Sequence, residues 1–381
     1  MKLTNKRFNI DIVIFIFPIM ILLGKIIRWT ILKSVLVDMS IGNEMINNIL
    51  YGTGFFTSFS EKGMSDAVGN SAVFFRMINF FKLTTTTEFE IFISIMWNII
   101  LFYLIAKCEK HMTLLQFLFL ITSVAVLNIW DFCLAKEPLQ MMFFIVMYAI
   151  ICSNKLTEKQ KYIGILAVLM ICIVYYRVYY ILIIAFLIIV SVICKKWLLK
   201  LNKIKKIDII LLLIILVLCY FIMLSSIKII DTESFNELIR VRTRLGDAKT
   251  QMLNIFKTDN LIIFSVDYLI MILRMLFPLE LIPMGIKYWA YVFYQILLSY
   301  FLIKNISTIK VNSKSQNIAL YLYMAFILAS GTFEPDFGSW VRHEAAIIPI
   351  LLIITNLKKP KEKDYIDNLK EDILIEKKKE V

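Results

Sequence analysis

Ten apolar runs follow one another along this chain, near residues 9–28, 89–106, 112–130, 138–152, 162–176, 178–194, 207–225, 286–303, 317–333 and 344–357. A helix needs about 20 mostly apolar residues to cross a bilayer, and somewhat fewer where neighbours or a thinned membrane help. Composition agrees with that reading. Of 381 residues, 60% are apolar and 19% charged, against about 45–50% and about 25% in soluble domains, and mean hydropathy is +0.77. The sequence therefore predicts an all-α polytopic membrane protein.

Lysine and arginine gather at cytosolic span ends. That rule puts Lys2, Lys6 and Arg7 inside, together with the lysine-rich linkers near 107–110, 155–161, 195–206 and 304–314 and the C-terminal tail. Both termini are then cytosolic. The net charge of +13 is explained by this topology and calls for no nucleic-acid partner. Ile12 to Gly24 follows basic residues as a signal peptide does, but Lys25 and Arg28 follow it in place of a small-residue cleavage site, so it reads as a retained first helix.

Two stretches resist a simple count. Residues 162–194 form one apolar stretch with Arg177 at its middle, in YYRVYY, between two lysine-rich flanks. Two short helices meeting at Arg177 near the outer face fit this better than one long helix. Residues 260–285 contain Asp267, Arg274, Pro278, Glu280 and Pro283; a re-entrant or surface-lying segment accommodates such a broken backbone, and a crossing there would add an eleventh span. The expectation is thus 10–11 transmembrane helices in a single polytopic domain over residues 1–357, with outer loops 38–88 and 226–259. A charged cytosolic tail occupies 358–381. Thr87 and Glu90 have the spacing of a capping box and predict where the second span begins. Asp267 and Arg274, seven apart, predict a shared polar face with Glu280. The six tryptophans, mostly near span ends, predict an interfacial belt.

Several chemistries are excluded. The six cysteines are scattered with no C-x-x-C, and His111 and His343 are too far apart to form a metal cluster with each other, so no zinc site or disulfide framework is indicated. No G-x-x-x-x-G-K-[ST], G-x-G-x-x-G or D-x-D occurs, which removes nucleotide cradles and the usual metal-bound sugar-nucleotide site. Neither a metal nor a cofactor is expected.

Charge beside a membrane span is costly and therefore informative. Three arginines, Arg240, Arg242 and Arg244, break the positive-inside bias in an outer loop, where planar guanidinium forks suit a diphosphate; pairing with Glu233, Glu237 and Asp247 is the structural alternative. The turn before the last run carries Glu334, Asp336, Arg342, His343 and Glu344, where a histidine transfers protons at neutral pH and an arginine steadies an anion. Asp131-Phe-Cys-Leu-Ala-Lys-Glu137-Pro138 opens the fourth run; the proline suits a helix start, and an acid there is electrostatically favoured. Arg177, among four tyrosines, is either a cation–π contact or a phosphate clamp.

The multi-span layout, Lys136-Glu137-Pro138 opening a span, Arg177 breaking a span pair, the Arg240/Arg242/Arg244 loop and Arg342-His343 before the final span together resemble the bacterial O-antigen and capsular polysaccharide repeat-unit polymerases (Wzy-like). The resemblance is architectural over most of the chain. It implies an enzyme of the bacterial cytoplasmic membrane that transfers a glycan from an undecaprenyl-diphosphate carrier onto another lipid-linked repeat unit, with other capsule-assembly membrane proteins as further partners. In that reading His343, Asp336 or Glu137 takes the proton of the attacking hydroxyl. Arg177, Arg240, Arg242 and Arg244 hold the diphosphate, supported by Arg342. Two alternatives stay open: a GT-C-type glycosyltransferase with an acidic base among Asp38, Glu44 and Asp66 of the first outer loop, and a polysaccharide flippase or transporter.

Overall fold

The computed structural model describes residues 7–30, 39–52, 67–201, 204–230, 250–256, 260–334 and 336–358. Each of the ten apolar runs falls on helix. Strand β1 (Arg7–Asn9) leads into α1 (Ile10–Trp29) and pairs antiparallel with β2 (His111–Thr113), which leads into α5 (Leu114–Trp130). Between them lie α2 (Met39–Leu50), α3 (Ala67–Met77) and α4 (Thr86–Ala106). The chain continues through α6 (Glu137–Cys152), α7 (Glu158–Tyr175), α8 (Tyr180–Lys196) and α9 (Lys206–Ile230). It closes with α10 (Leu261–Leu276), α11 (Trp289–Ser307), α12 (Lys314–Phe333), α13 (Phe337–Ala345) and α14 (Ile348–Ile354).

The architecture is all-α and fits a polytopic membrane protein. Among the described residues, five helical stretches are long and apolar enough to cross a bilayer on their own: Ile10–Trp29, Thr86–Ala106, Tyr180–Lys200, Ile207–Ile229 and Lys314–Phe333. The pair α13 and α14, bent by 71°, makes a sixth if it is one span. The remaining runs of the ten fall short of that standard for visible reasons. Helices α5 and α6 have only 17 and 16 residues, and α7 opens on Glu158, Lys159 and Lys161.

Helix starts follow local chemistry. Capping boxes at Thr113/Gln116, Thr157/Gln160 and Ser313/Gln316 begin α5, α7 and α12, each satisfying backbone N–H groups that a helix leaves unpaired. The box that starts α4 is Thr85/Glu88, two residues before the expected Thr87/Glu90. The string T-T-T-T-E-F-E offers both registers. The earlier one wins because Glu90 is engaged elsewhere, by Arg28 and by the Trp29 indole.

Two ends of the bundle are distinct. At one, where β1 and β2 lie, Gln116 Nε2 donates to the Thr355 carbonyl at 2.7 Å, Glu109 N to Leu357 at 2.7 Å and Asn305 Nδ2 to Ile354 at 2.6 Å. At the other, α1, α5, α6, the α7–α8 turn, α12 and α13 bring their charged termini together. In between, Gly24 lets α1 lie against α5: a Cβ there would stand 2.8 Å from Asn128 Cβ. Asn128 and Asn98 exchange amide hydrogen bonds of 2.8 and 3.0 Å between α5 and α4, the kind of polar contact that joins helices lacking a hydrophobic drive to associate in lipid.

Residues 260–288 pack against α9, α11 and α12. Tyr268 OH donates to the Leu328 carbonyl at 2.6 Å, and its ring stacks on Tyr220 of α9. At the end of α10, the Leu276 carbonyl accepts from Ser299 Oγ at 2.6 Å, near the midpoint of α11, and the Met275 carbonyl accepts from Trp340 Nε1 at 3.3 Å. The chain then turns at Pro278 and returns, Ile282 meeting the Trp289 indole at the start of α11. The expected Asp267–Arg274 lining does not form. Asp267 accepts from the backbone N–H groups of Ile255 and Phe256, while Arg274 grips Glu280 through two bonds of 2.8 and 2.9 Å. Glu280 lies closer to Arg274 because Pro278 folds the chain back, and Asp267 is taken by free backbone donors.

The tryptophan belt is incomplete as well. Trp29 and Trp289 are exposed, but Trp97 and Trp340 are wholly buried, Trp340 stacking on Phe326. Trp97 sits in the middle of α4, too far from either terminus for an interfacial position.

Candidate functional site

Helix α5 ends at Trp130 with Asp131 as its C-cap, and six residues later α6 begins at Glu137 with Pro138 in its first turn. The loop between is tied down by α1. Lys25 Nζ donates to the Phe132 carbonyl at 2.5 Å, Arg28 Nη1 donates to the Ile129 carbonyl at 2.8 Å, and Arg28 is also paired with Glu90 of α4. In the sequence, Lys25 and Arg28 speak only for a retained first helix. Their spacing of three residues on one helix face is the signal that links them.

From the opposite side, α12 ends at Glu334, and the chain turns into α13, capped by Asp336. That turn folds α13 back so that Arg342 and His343 approach Glu137. His343 Nδ1 lies 2.5 Å from Glu334 Oε1, its Nε2 lies 3.8 Å from Glu137 Oε1, and Arg342 Nε lies 3.9 Å from the same oxygen. Exposure is 1% for Glu137, 2% for Glu334 and 4% for His343. Buried charges survive only when paired, and this arrangement pairs each with another element. The Glu334 carboxylate lies against Nδ1 and fixes the imidazole, with Nε2 turned toward Glu137.

The α7–α8 turn supplies Arg177. Its guanidinium stands 5.8 Å from the Tyr179 ring centroid, and Tyr179 stacks on Phe333, the neighbour of Glu334, at 5.3 Å. Tyr176 OH ties the same turn to α6 through Gln140 Oε1 at 3.1 Å. The charges of Glu334 and Glu137 also act on the Arg177 guanidinium.

Electrostatics in the 131–136 loop follow from burial. The Lys136 ammonium is pushed down to about 8 by desolvation, with Arg177 and Arg342 adding repulsion against the pull of Glu137 and Glu334. Asp131, 1% exposed, is pushed well above the usual carboxylate range by desolvation first and by the Glu137 charge second, against Arg342 and Arg28.

Among the sequence candidates, Glu137, Arg177, Arg342 and His343 come together. Asp336 caps α13, its carboxylate accepting from Ser339 N at 2.8 Å and Ser339 Oγ at 3.1 Å, and its charge also acts on Arg342. Arg240, Arg242 and Arg244 lie outside the described residues, as do Asp38 and Asp66, while Glu44 is exposed on α2. Glu334 and Asp131 join the site, although neither stands among the sequence candidates for its chemistry. The signal for Glu334 is a carboxylate in the Gly331 to Glu344 turn, close to a histidine at a span end. Glu344 is separate: Tyr323 OH and Gln295 Nε2 both donate to its Oε1, at 2.6 and 3.0 Å.

Several buried polar atoms around this cluster have no protein partner: both Asp131 oxygens, Glu137 Oε1, His343 Nε2, Gln140 Nε2 and Tyr179 OH. Among the described residues no group of three or more His, Cys, Asp or Glu is arranged to hold a metal ion. No protein-family model, curated protein or solved structure matches this chain.

Proposed function

We propose that this protein is a bacterial plasma-membrane glycosyl-transferring enzyme that polymerises lipid-linked oligosaccharide repeat units during surface polysaccharide assembly. The observation that carries the reading is the buried Glu334–His343–Glu137 arrangement with Arg342 beside it. In this reading the chain crosses the bilayer ten times with both termini cytosolic, the lysine-rich β1–β2 end faces the cytosol, and the cluster faces the outer leaflet. Residues 260–285 act as a re-entrant segment.

Transfer breaks the bond between the glycan's anomeric carbon and the carrier diphosphate and forms a bond from that carbon to the acceptor hydroxyl oxygen. The hydroxyl proton passes to His343 Nε2, oriented by Glu334, with the Glu137 carboxylate stabilising the imidazolium. Negative charge growing on the departing lipid diphosphate is offset by Arg342 and Arg177, which are placed before the reaction begins. The arginines of the 226–259 loop, Arg240, Arg242 and Arg244, complete the diphosphate contacts in this scheme. Asp336 holds α13 in place and is not the base.

Deletion of the gene in its host tests the reading. Single complete lipid-linked repeat units accumulating on the outer face, with loss of long polysaccharide, are the expected result. Truncated units would assign the chain instead to the GT-C-type glycosyltransferases, inner-face trapping to flippases, and unchanged surface polysaccharide would remove all three.

A further inference from the structure

We propose that Asp131 is a second carboxyl of this site, a hydrogen-bond donor that grips a hydroxyl of the acceptor sugar beside Glu137. The proposal rests on the cluster being the glycosyl-transfer site. Its ground is geometric: Asp131 is 1% exposed, and neither carboxyl oxygen has a hydrogen-bond partner. Among the described residues it forms no ion pair, whereas Glu137, six positions on, has Arg342 and His343 within 4 Å. His343 Nε2, also without a hydrogen-bond partner, faces Glu137 Oε1 at 3.8 Å.

Four charged or titratable neighbours bear on it: Glu137 from α6, Arg342 from α13, Arg28 from α1 and Tyr294 from α11. Arg28 is committed to Glu90 and the Ile129 carbonyl, and Arg342 to Glu137 and the Gly338 carbonyl. A bare buried carboxylate is costly, so Asp131 is the neutral acid and Glu137 the ionised one. Two carboxyls with opposed environments divide donor and acceptor roles between them. Lys25 and Arg28, through the Phe132 and Ile129 carbonyls on either side, hold Asp131 in position.

Infrared difference spectra of the purified full-length protein in lipid nanodiscs, wild type against Asp131→Asn at neutral pH, read the protonation state without any substrate. Loss of a protonated-carboxyl C=O band is expected, and loss of a carboxylate band instead overturns the proposal. Turnover of lipid-linked repeat units collected from the deletion strain reads the role. Asp131→Asn, which keeps a donor, is expected within a few-fold of wild type, and Asp131→Ala to raise the acceptor KM about tenfold with kcat less affected. An Asp131→Asn variant as inactive as Glu137→Gln overturns the donor role. If gene deletion leaves polysaccharide unchanged, the glycosyl-transfer reading falls, while the infrared result still decides whether Asp131 is neutral.

Discussion

Two groups of buried charge lie side by side at one end of the bundle and differ in how completely they are paired. In the first, Arg28 bonds to Glu90 and the Ile129 carbonyl, and Lys25 bonds to the Phe132 carbonyl. In the second, the distances from Glu137 Oε1 to His343 Nε2 and Arg342 Nε are 3.8 and 3.9 Å, and Asp131 is left with none. A direct charge-assisted bond holds elements together. Groups held close without closing such bonds retain capacity for a ligand. The first group is therefore the frame and the second the working part.

The comparison breaks most visibly at Glu137. Glu137→Gln is expected to abolish chain extension, seen as loss of the polysaccharide ladder on gels, while circular dichroism stays helical. Glu280→Gln, which alters only the Arg274 pair, is expected to leave the ladder intact. His343→Ala is expected to slow turnover by about 10²–10⁴-fold, the range for losing a positioned acid–base group. Glu334→Gln, which keeps a partner for Nδ1, is expected to be milder and to shift the pH profile of kcat.

The frame should fail in stability before chemistry. Arg28→Ala leaves Glu90 and the Ile129 carbonyl short of a donor and is expected to cost about 1–3 kcal/mol, read as a lower melting temperature in detergent. Asp336→Ala removes the cap of α13 and is expected to cost about 1 kcal/mol, with Asp336→Asn tolerated in both stability and turnover.

The smallest effect is electrostatic. Lys136 titrates near 8 in the folded protein against 10.5 for an ordinary lysine. Between those values the unfolded chain retains a proton that the folded one has released, so this residue makes stability rise with pH across the window. Lys136→Met is expected to flatten that rise in melting temperature measured from pH 8 upward.

How much of this is legible in the sequence varies by residue. Apolar runs mark the helices, because burial and lipid contact both demand them, and Glu137-Pro138 marks a helix start through the proline's missing N–H. Arg177 and Arg342-His343 stand out because basic residues at span ends read as outer go against the positive-inside bias. Their meeting is not legible, since it depends on α13 folding back from Glu334 and on the α7–α8 turn stacking Tyr179 on Phe333. Asp336 is ambiguous for a related reason: a carboxylate before Phe-Gly-Ser suits both a base and a cap, and the Ser339 bonds show the cap. The Thr85/Glu88 box is hidden by a neighbouring register whose Glu90 is held by Arg28 and Trp29, more than fifty residues away.

The most direct test uses purified protein in liposomes with lipid-linked repeat units from the deletion strain, following release of the polyprenyl diphosphate together with growth of the glycan. Wild type should release carrier and extend chains, and Glu137→Gln and His343→Ala should do neither while keeping the wild-type melting temperature within a few degrees. Extension by the Glu137→Gln variant at the wild-type rate would contradict the account.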